Sequence, residues 1–499
     1  MNRRRFLATS AATGAFLGLS QRAAGDVYQD AFRAAIAEHP WLHGLQSVSR
    51  PAYDHTAAVT GKWPAGLTGT LYRNGPARHE IGSFRYRHWF DGDGMIHAWR
   101  LAGGEVRHQA KMVQTTKYTE EMAAGRALYP GFASTPPNPA PVTSADAVNV
   151  ANISVLHHHG KLLALWEAGS PWEIDAETLD TTGVHAFSDD TRGAPFSAHP
   201  RVEPDGTLWN FGYVSSAGLI ALWHVDPAGK LVKVGTVPAD PMSMPHDFVV
   251  TEHHIVLLLP PLHYRGTEGA TFLDAHEWVG SDPTRVLVVD KNDFSSYQWH
   301  ELPAQWVFHF GNAWEDAQGV IRFDGARADT PLLMQDNFRR YMQGESGADR
   351  TTRHYSYSID TRRRTARETP MFDGSFMTEF PTIDPRVSCR RNRRLCMLHR
   401  KADAAVAHPM LTGVTVYDDG GRLQQFDYPA TTIPEEHLFV PAPGSAPEAD
   451  GWVIGTTLDF RNLQMNLNVF DANHLEDGPL ATATLPYTLP LGLHGKFVA

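Results

Sequence analysis

Cysteine is scarce in this sequence: Cys389 and Cys396 are the only two among 499 residues. Two cysteines cannot form a multi-disulfide scaffold, and they are too few for a zinc site of three or four cysteines. A tight turn centred on Asn392 and Arg393 would place the two cysteines opposite each other on a hairpin, where a disulfide is geometrically possible. The sequence leaves a disulfide and a pair of buried thiols open as alternatives.

The sequence also lacks an excess of positive charge and any long apolar run after its first residues. It has 55 acidic residues against 44 lysines and arginines, which gives a formal net charge of -11. A nucleic-acid partner requires a basic face that neutralises phosphates, so no nucleic-acid partner is predicted. No later segment approaches the 18 unbroken apolar residues of a candidate membrane-spanning helix, so none is predicted.

The N-terminal segment has the pattern of an export signal. Arg3 and Arg4 form a twin-arginine pair, and a mildly apolar stretch follows as far as Leu19. This stretch is too short to span a bilayer and fits a cleavable signal peptide. We predict a signal peptide over residues 1–25, a single domain over residues 26–499, and a periplasmic or exported protein; without export, the location would be the cytoplasm.

The remainder of the chain contains short alternating apolar runs separated by Gly, Pro, Asp and Asn, which predicts an all-β fold. One pattern recurs: an apolar residue, an aspartate, a turn and another strand, as in WEIDAETLD and NVFDANHLED. Aspartate suits such a turn because its carboxylate accepts backbone N–H bonds. These aspartates, at intervals of 51 to 70 residues, are Asp175, Asp226, Asp290, Asp360, Asp418 and Asp471.

A seventh unit, HAWRLAGGEVRHQ, has the same strand–turn–strand form without the aspartate. A unit of four short strands plus loops at this spacing is typical of a β-propeller blade. Seven such units predict a seven-bladed β-propeller. The alternative is a β-sandwich, whose ordinary hairpins can have the same turn pattern.

Four histidines lie in short, apolar, strand-like contexts that are far apart in the chain. On different blades of a propeller they would converge at the central axis, because the innermost strand of each blade faces it. Four imidazoles without cysteine favour iron, copper, nickel or zinc. Zinc prefers four-coordinate sites, often with sulfur, so a four-histidine set with two open positions suits Fe(II) and O₂ chemistry better. The four are His199, His246, His309 and His494.

The chain resembles the carotenoid cleavage oxygenases, a family that includes apocarotenoid and stilbene dioxygenases. The matching stretches follow the family's order from about residue 50 to the end; they include HWFDGDGMIHAWRL, FSAHPRVEPDGTLWNFGY, FHFGNAWED and LGLHGKF. The resemblance implies a seven-bladed propeller with a small lid of helices and loops over an axial iron site. It also implies one Fe(II) per chain, held by the four histidines, with O₂ as co-substrate.

The family also uses three glutamates that accept the second ring N–H of metal-bound histidines. Glu167 in LLALWEAG and Glu379 in TEFP match this role, and Glu435 and Glu436 compete for the third position before FVP. Counting back from LFVP selects Glu436. In chain order, the expected partners of the three carboxylates are His246, His309 and His494, which leaves His199 without one.

The implied reaction is oxidative cleavage of a conjugated C=C bond of a carotenoid or apocarotenoid into two carbonyl products, with no catalytic side chain beyond the metal centre. Ile153 in ANISV falls beside an open iron position, where it would keep water off the metal. Stilbene-cleaving relatives engage the phenol with a tyrosine and a lysine. We read Met112 at the tyrosine position, which favours an apolar polyene because a thioether packs against one and cannot bind a phenolate.

A stilbene or phenylpropanoid alkene is the alternative substrate. A non-catalytic binding propeller and a retinoid-type isomerohydrolase on the same fold are the rival functions, and the histidine and glutamate set favours an enzyme over a binding module. The predicted lid segments are YTEEMAAGRALYPGFAS and PPLHYRGTEGATFLDAHEWVG. A water-insoluble substrate further predicts an apolar mouth that contacts a membrane surface.

Overall fold

The computed structural model describes residues 25–266, 271–348 and 351–499. The predicted signal peptide falls, except for its last residue, outside the described residues. Within the described part of the chain, no helix has both the length and the apolar character needed to cross a bilayer.

Seven antiparallel sheets of four or five strands form the blades of a β-propeller, and this confirms the fold predicted from the repeat. Each of five blades consists of four strands that follow one another in chain order within one continuous stretch of the sequence. From the innermost strand outwards they are blade 2, with β8 (Ser154–His158), β9 (Lys161–Leu165), β10 (Trp172–Ile174) and β11 (Thr181–Val184); blade 3, with β12 (Arg201–Val202), β13 (Leu208–Val214), β14 (Leu219–Val225) and β15 (Leu231–Pro238); blade 4, with β16 (Val249–Val250), β17 (His254–Leu259), β20 (Thr284–Asp290) and β21 (Tyr297–Leu302); blade 5, with β22 (Trp306–Glu315), β23 (Ile321–Ala328), β24 (Thr352–Asp360) and β25 (Thr365–Pro370); and blade 6, with β26 (Phe376–Thr382), β27 (Arg394–Lys401), β28 (Gly413–Asp418) and β29 (Leu423–Asp427).

The remaining two blades combine strands from both ends of the described chain, and they close the ring. From the innermost strand outwards they are blade 1, with β34 (His494–Val498), β3 (Gly69–Arg78), β6 (Asp93–Ala102), β7 (Glu105–Met112) and β1 (Ala52–Thr56), and blade 7, with β30 (Thr432–Pro441), β31 (Gly451–Asp459), β32 (Gln464–Asp471), β33 (Ala481–Leu485) and β2 (Ala58–Gly61). Strand β34 pairs with β3 in a register that sets His494 opposite Asn74. This pairing explains why a histidine so near the C-terminus is buried at the axis.

Each of the six repeat aspartates lies where the third strand of a blade turns into the fourth. Oδ1 of Asp175 accepts hydrogen bonds from the backbone N–H groups of Glu177 (3.0 Å) and Thr178 (2.7 Å). Four other aspartates accept backbone N–H bonds within their own turns in the same way. Asp418 differs, because its carboxylate accepts a hydrogen bond from the Arg394 guanidinium at 2.9 Å. The repeat therefore marked turn chemistry that recurs from blade to blade.

The helices and two small hairpins lie outside the blades. The hairpins pair β4 (Glu80–Ile81) with β5 (Phe84–Arg85) and β18 (Leu262–Tyr264) with β19 (His276–Trp278). The α-helices are α1 (Gly25–Glu38), α2 (Thr116–Ala124) and α3 (Phe338–Met342), the last preceded by a π-helical turn over Leu333–Asn337. Short 3-10 helices span Pro40–Leu45, Trp89–Asp91, Ala145–Val148, Asp189–Thr191, Ser215–Ala217, Pro385–Val387 and Leu475–Asp477.

The predicted hairpin between the two cysteines is wrong. Cys396 lies in β27 and pairs with β26 and β28, whereas Cys389 lies in the preceding loop at a φ of 63°. That loop is fixed to other parts of the propeller, since Asn312 accepts the backbone N–H of Cys389 and Glu448 accepts that of Arg393. Both cysteines are buried free thiols, which is the alternative that the sequence left open.

Candidate metal centre

Four blades bring the four predicted histidines to the propeller axis. His199 and His246 lie just before the innermost strands of blades 3 and 4, His309 lies within the innermost strand of blade 5, and His494 begins that of blade 1. The Nε2 atoms of His199 and His246 are 3.0 Å apart. The ring atoms available as ligands on His199, His246 and His309 lie within 4.8 Å of one another. The His494 ring centroid is 4.7 Å from those of both His199 and His309.

In three of these histidines, Nδ1 contacts a glutamate carboxylate. The pairs are Glu167 with His246, Glu379 with His309 (2.5 Å) and Glu436 with His494 (2.8 Å). Among the described residues, no carboxylate contacts the ring of His199. These contacts match the pairing expected from the sequence, while metal binding itself stays a prediction. Because each Nδ1 donates its proton to a carboxylate, Nε2 is left as the lone-pair nitrogen that faces the centre.

The innermost strands of blades 5, 6 and 7 are irregular where these side chains lie. The pairing register shifts around His309, after Glu379 and between Pro434 and His437. Bulges of this kind re-aim side chains and are common beside active sites. In a regular strand, consecutive residues face opposite sides. The blade 7 bulge explains why Glu435 and Glu436 are both buried.

Phe380 occupies a strained backbone position beside His309. Its φ is 54°, a left-handed conformation that costs an L-residue other than glycine roughly 1–2 kcal/mol. This conformation lets the Phe380 N–H donate to Oε2 of Glu379 at 2.7 Å. The Phe380 ring stacks on the His309 imidazole with a centroid separation of 5.2 Å and an interplanar angle of 27°. The strain is therefore offset by contacts that orient a candidate ligand and its carboxylate.

Burial and neighbouring charges act in opposite directions on the groups at this site. Burial, together with the neighbouring imidazoles, holds the pKa of His199 well below its usual value, so its ring is neutral. Burial raises the pKa of Glu436, but attraction to His494 outweighs burial and lowers it. Burial likewise lowers the pKa of His309, but Glu379 outweighs burial and raises it. In His494, burial outweighs the attraction of Glu436 and lowers the pKa of that imidazole. Of these two pairs, Glu379–His309 is therefore the one that favours a positive charge beside its carboxylate.

The residues present fit a bound first-row transition metal. Nε2 of His309 is buried and has no hydrogen-bond partner in the described structure. Leaving a buried polar atom unsatisfied costs about 1–3 kcal/mol, and a metal ion at the centre would remove that penalty. A donor set of four imidazole nitrogens without sulfur suits iron, copper, nickel or zinc. The three carboxylates would offset the charge of a divalent ion.

Two cavities border this centre. The larger has a volume of about 250 Å³ and the smaller about 80 Å³. Phe90, Ile153 and His246 line both cavities, so the cavities meet at the histidine cluster. Ile153 thus lies beside the candidate metal position, and its carbonyl oxygen accepts the backbone N–H of His494 at 3.3 Å.

Buried amides hold the residues where the cavities meet. The side-chain N–H₂ of Asn152 donates to the carbonyl oxygens of Phe90 (2.9 Å) and Gly92 (2.7 Å). Asn74 in blade 1 donates to the carbonyl oxygens of Ala151 (2.9 Å) and Ser154 (3.0 Å), on either side of Ile153. These hydrogen bonds fix the backbone on both sides of Ile153 and next to Phe90, so the fold itself defines the junction between the cavities.

Met112, which the sequence predicted to line the substrate pocket, lines neither cavity. It ends β7 opposite Met95 and packs into the hydrophobic core. The side chains that line the larger cavity near Glu167 include Phe132 and Trp166. Neither residue was predicted from the sequence. Trp166 could have been predicted because it directly precedes Glu167, and Phe132 because it lies in the first predicted lid segment.

A seven-bladed propeller whose axis carries four histidines from four blades, three of them backed by glutamates, defines a class of non-haem metal oxygenase. The family model described as "Retinal pigment epithelial membrane protein" matches residues 46–499. The chain therefore belongs to this family, the carotenoid cleavage oxygenases.

Individual relatives match along nearly their whole length. The chain is 30% identical over 486 residues to apocarotenoid-15,15'-oxygenase from Synechocystis, covering 92% of this chain and 96% of that protein. It is 27% identical over 456 residues to isoeugenol monooxygenase from Pseudomonas nitroreducens, covering 88% and 94% respectively. The crystal structure of cobalt-substituted apocarotenoid oxygenase from Synechocystis matches with a TM-score of 0.82 at 28% identity, covering 92% of this chain and 98% of that one.

Proposed function

We propose that this protein is a non-haem Fe(II)-dependent dioxygenase that cleaves a conjugated C=C bond of a carotenoid or apocarotenoid into two carbonyl products. The observation that carries the proposal is the cluster of four histidines, with three Nδ1 atoms on carboxylates, beside an apolar cavity. His199, His246, His309 and His494 would hold one Fe(II). Family membership and the apocarotenoid oxygenase relative support this assignment.

When bound, Fe(II) would supply the centre at which O₂ is activated. The reaction balances without an external reductant. The C=C bond and the O–O bond both break, one oxygen atom goes to each alkene carbon, and two C=O bonds form. The four electrons that reduce O₂ come from the alkene.

The protein's own side chains orient the ligands and shape the site. The Glu167, Glu379 and Glu436 carboxylates keep the proton on Nδ1 of their histidines and fix the ring planes. Phe90 and Ile153 make the junction apolar, which keeps water away and positions the alkene. The reaction transfers no proton, so it needs no side chain as a general acid or base.

The wall of the larger cavity favours a neutral polyene. Phe90, Phe132, Trp166 and Phe272 supply aromatic surface, and no lysine or arginine is among its described lining residues. Burial raises the pKa of Tyr213 well above its usual value, so this lining phenol stays neutral. A phenolate substrate would find no cation here. The alternative, a stilbene or phenylpropanoid alkene dioxygenase, is supported by the similarity to isoeugenol monooxygenase.

The test is anaerobic purification with iron analysis, followed by incubation of polyenes and stilbenes under ¹⁸O₂. We expect about one iron per chain, O₂ uptake only with an alkene, and one labelled oxygen in each carbonyl product before exchange with water. The His309→Ala variant should neither retain iron nor consume O₂. Iron-replete protein that consumes no O₂ with any alkene would contradict the proposal.

Export and membrane contact complete the proposal. The twin-arginine pair supports periplasmic export, and replacing Arg3 and Arg4 together by lysine should leave the protein uncleaved in the cytoplasm. Val27 on α1 and Met122 on α2 are exposed apolar side chains outside the blades, and they support contact with a membrane surface. Replacing both by serine should weaken binding to lipid vesicles. Unchanged export of the lysine variant would refute the twin-arginine signal, and unchanged vesicle binding of the serine variant would refute the membrane contact.

A further inference from the structure

The function proposed above assigns no role to His88, which begins the HWFDG segment just before β6. Its imidazole is completely buried and lines neither cavity. It nevertheless packs edge-on against three phenylalanine rings, with centroid separations of 5.0 Å to Phe132, 5.1 Å to Phe90 and 5.7 Å to Phe338. Phe132 lines the larger cavity, Phe338 lines the smaller one and Phe90 lines both. His88 therefore lies directly behind the walls of both cavities.

Two hydrogen bonds fix the His88 ring and its tautomer. Nε2 lies 2.8 Å from the carbonyl oxygen of Met334, which can only accept a hydrogen bond, so Nε2 carries the proton. Nδ1 then has the free lone pair, and it accepts the backbone N–H of Phe90 at 3.1 Å. Burial lowers the pKa of His88 from 6.5 to about 3, so the ring is neutral and keeps this pattern at pH 7.

The two hydrogen bonds join segments that are far apart in the chain. Phe90 belongs to the 3-10 helix Trp89–Asp91, whereas Met334 belongs to the π-helical turn that leads directly into Phe338. Turns of this kind are rare and are frequent at functional sites. The Phe90 and Phe338 rings touch, with a centroid separation of 5.2 Å and an interplanar angle of 58°. His88 thus holds a wall of the smaller cavity against the residue at the junction.

The other residues of the HWFDG segment are anchored as well. Oδ1 of Asp91 accepts the backbone N–H of Ala133 (3.1 Å) and Oδ2 accepts the hydroxyl of Ser134 (2.6 Å), which fixes the loop that contains Phe132. The carbonyl oxygen of Phe90 is held by Asn152, as described above. The hydrogen bond from His88 to Met334 extends this framework to the turn before Phe338.

We propose, on the basis of the dioxygenase function above, that His88 is a positioning residue: it sets the place of the alkene beside the metal by holding Phe90 and the Phe338 segment in one arrangement. Because His88 lines neither cavity, it acts through these two rings. A displacement of about 1 Å in a reacting group can lower a rate about 100-fold. Loss of either hydrogen bond therefore changes the rate and the position of cleavage while the metal is retained.

Two conservative variants each keep one of the two hydrogen bonds. In His88→Asn the amide oxygen replaces Nδ1 and can accept the Phe90 N–H, but the side chain is too short to reach Met334. In His88→Gln the amide nitrogen replaces Nε2 and can donate to the Met334 carbonyl, but the acceptor for Phe90 is lost. His399→Asn and His399→Gln are matched controls, since the His399 ring is equally buried, has both nitrogens hydrogen-bonded and lines neither cavity.

Hydrogen exchange of the full-length proteins tests the contacts without turnover. We expect the amides of the π-helical turn to exchange about fivefold faster in His88→Asn than in His88→Gln, since one hydrogen bond contributes about 1 kcal/mol. The amides of the Trp89–Asp91 helix should show the reverse order. Exchange in both segments that is the same in the two variants and in wild type would show that His88 does not hold them, and it would overturn the proposal.

Turnover of the iron-loaded enzymes on a polyene with several conjugated double bonds tests the positioning. We expect both His88 variants to keep the wild-type iron content, to lose about 10- to 100-fold in kcat with a smaller change in KM, and to shift the ratio of products from neighbouring double bonds. The His399 variants should keep the wild-type product ratio. An unchanged product ratio and kcat in the His88 variants, or an equal shift in the controls, would overturn the positioning role alone. Absence of O₂ uptake by the wild type with any alkene would overturn the dioxygenase function, and this role with it.

Discussion

Oε1 of Glu436 lies 2.8 Å from Nδ1 of His494, and Oε2 of the same carboxylate accepts the backbone N–H of Gly495 at 2.7 Å. Glu436 thus fixes both the ring and the backbone of the last candidate ligand. The adjacent Glu435 has a different task, because its carboxylate accepts the N–H of Gly492. The two consecutive glutamates therefore both hold the segment from Gly492 to Gly495: Glu435 binds the N–H of Gly492, and Glu436 binds the His494 ring and the N–H of Gly495.

The first prediction separates a carboxylate partner from a ligand. Glu379→Gln should give a folded enzyme with metal affinity or activity reduced about 10- to 100-fold, because His309 loses its fixed tautomer. Excess Fe(II) should partly restore this variant. His309→Ala should not be restored at any Fe(II) concentration. Titration with Co(II) as a spectroscopic probe and activity at rising Fe(II) measure both, and equal rescue of the two variants would contradict the assignment.

The second prediction concerns the two adjacent glutamates. Glu436→Gln should weaken metal binding as Glu379→Gln does. Glu435→Gln should instead lower the free energy of unfolding by about 1–3 kcal/mol, because the buried Arg73, 3.8 Å away, loses its charged neighbour. Metal affinity of this variant should fall less than tenfold. Urea unfolding and Co(II) titration distinguish the two effects, and the reverse pattern would show that the roles are exchanged.

The third prediction concerns acid stability. Burial raises the pKa of Glu315, but hydrogen bonds from His254 and Thr251 outweigh burial and lower it from 4.5 to about 2. A carboxylate with a lowered pKa stabilises the fold fully above its unfolded value and loses that effect as pH falls toward the folded value. Glu315→Gln should therefore destabilise the protein at pH 7, and its difference from wild type should shrink as the pH is lowered from about 4.5 toward about 2.

Denaturant melts of both proteins across this pH range measure the difference. The exposed Glu301→Gln is a control for the loss of one carboxylate. A difference for Glu315→Gln that stays constant down to about pH 2, or an equal trend in the control, would contradict the assignment.

The fourth prediction concerns the buried charges around helix α2. Oε2 of Glu121 accepts hydrogen bonds from Lys117 (3.0 Å) and Arg78 (2.9 Å), and Oε1 accepts the N–H of Leu128 (2.9 Å). Removing one partner of such a buried cluster costs about 3–5 kcal/mol. Glu121 holds Leu128, and the loop that contains Leu128 continues to Phe132, which lines the larger cavity. Glu121→Gln should therefore also raise KM more than it lowers kcat.

Thermal unfolding and steady-state kinetics test this variant together. Glu120→Gln is a matched control on the same helix, since its amide still accepts the hydrogen bond from Tyr129. A stability loss in Glu121→Gln without a change in KM would show that the cluster supports the fold but not the cavity wall.

The sequence carried the features that recur or that need a particular residue type. Turn aspartates and the candidate metal-ligand histidines are chemically specific residue types, so their positions could be predicted without a structure. Met112 and Cys389 could not be placed, because the alternation of one strand and the contacts of one loop decide where they lie. Counting back from LFVP selects Glu436 as the partner of His494, but the burial and separate contacts of Glu435 depend on a bulge that no sequence pattern indicates. Cavity volumes depend on packing between distant segments and were beyond sequence reasoning altogether.

The last prediction uses the strained Phe380. Phe380→Ala removes the ring that stacks on His309 but keeps a side chain at a φ of 54°. Phe380→Gly removes the ring and the strain together, since glycine adopts positive φ freely. Although glycine normally destabilises relative to alanine, here Phe380→Gly should be more stable than Phe380→Ala by about 1 kcal/mol, because the conformational penalty of the left-handed region is roughly 1–2 kcal/mol. Urea unfolding of the metal-free variants measures this difference, and a more stable alanine variant would show that the backbone relaxes once the ring is gone.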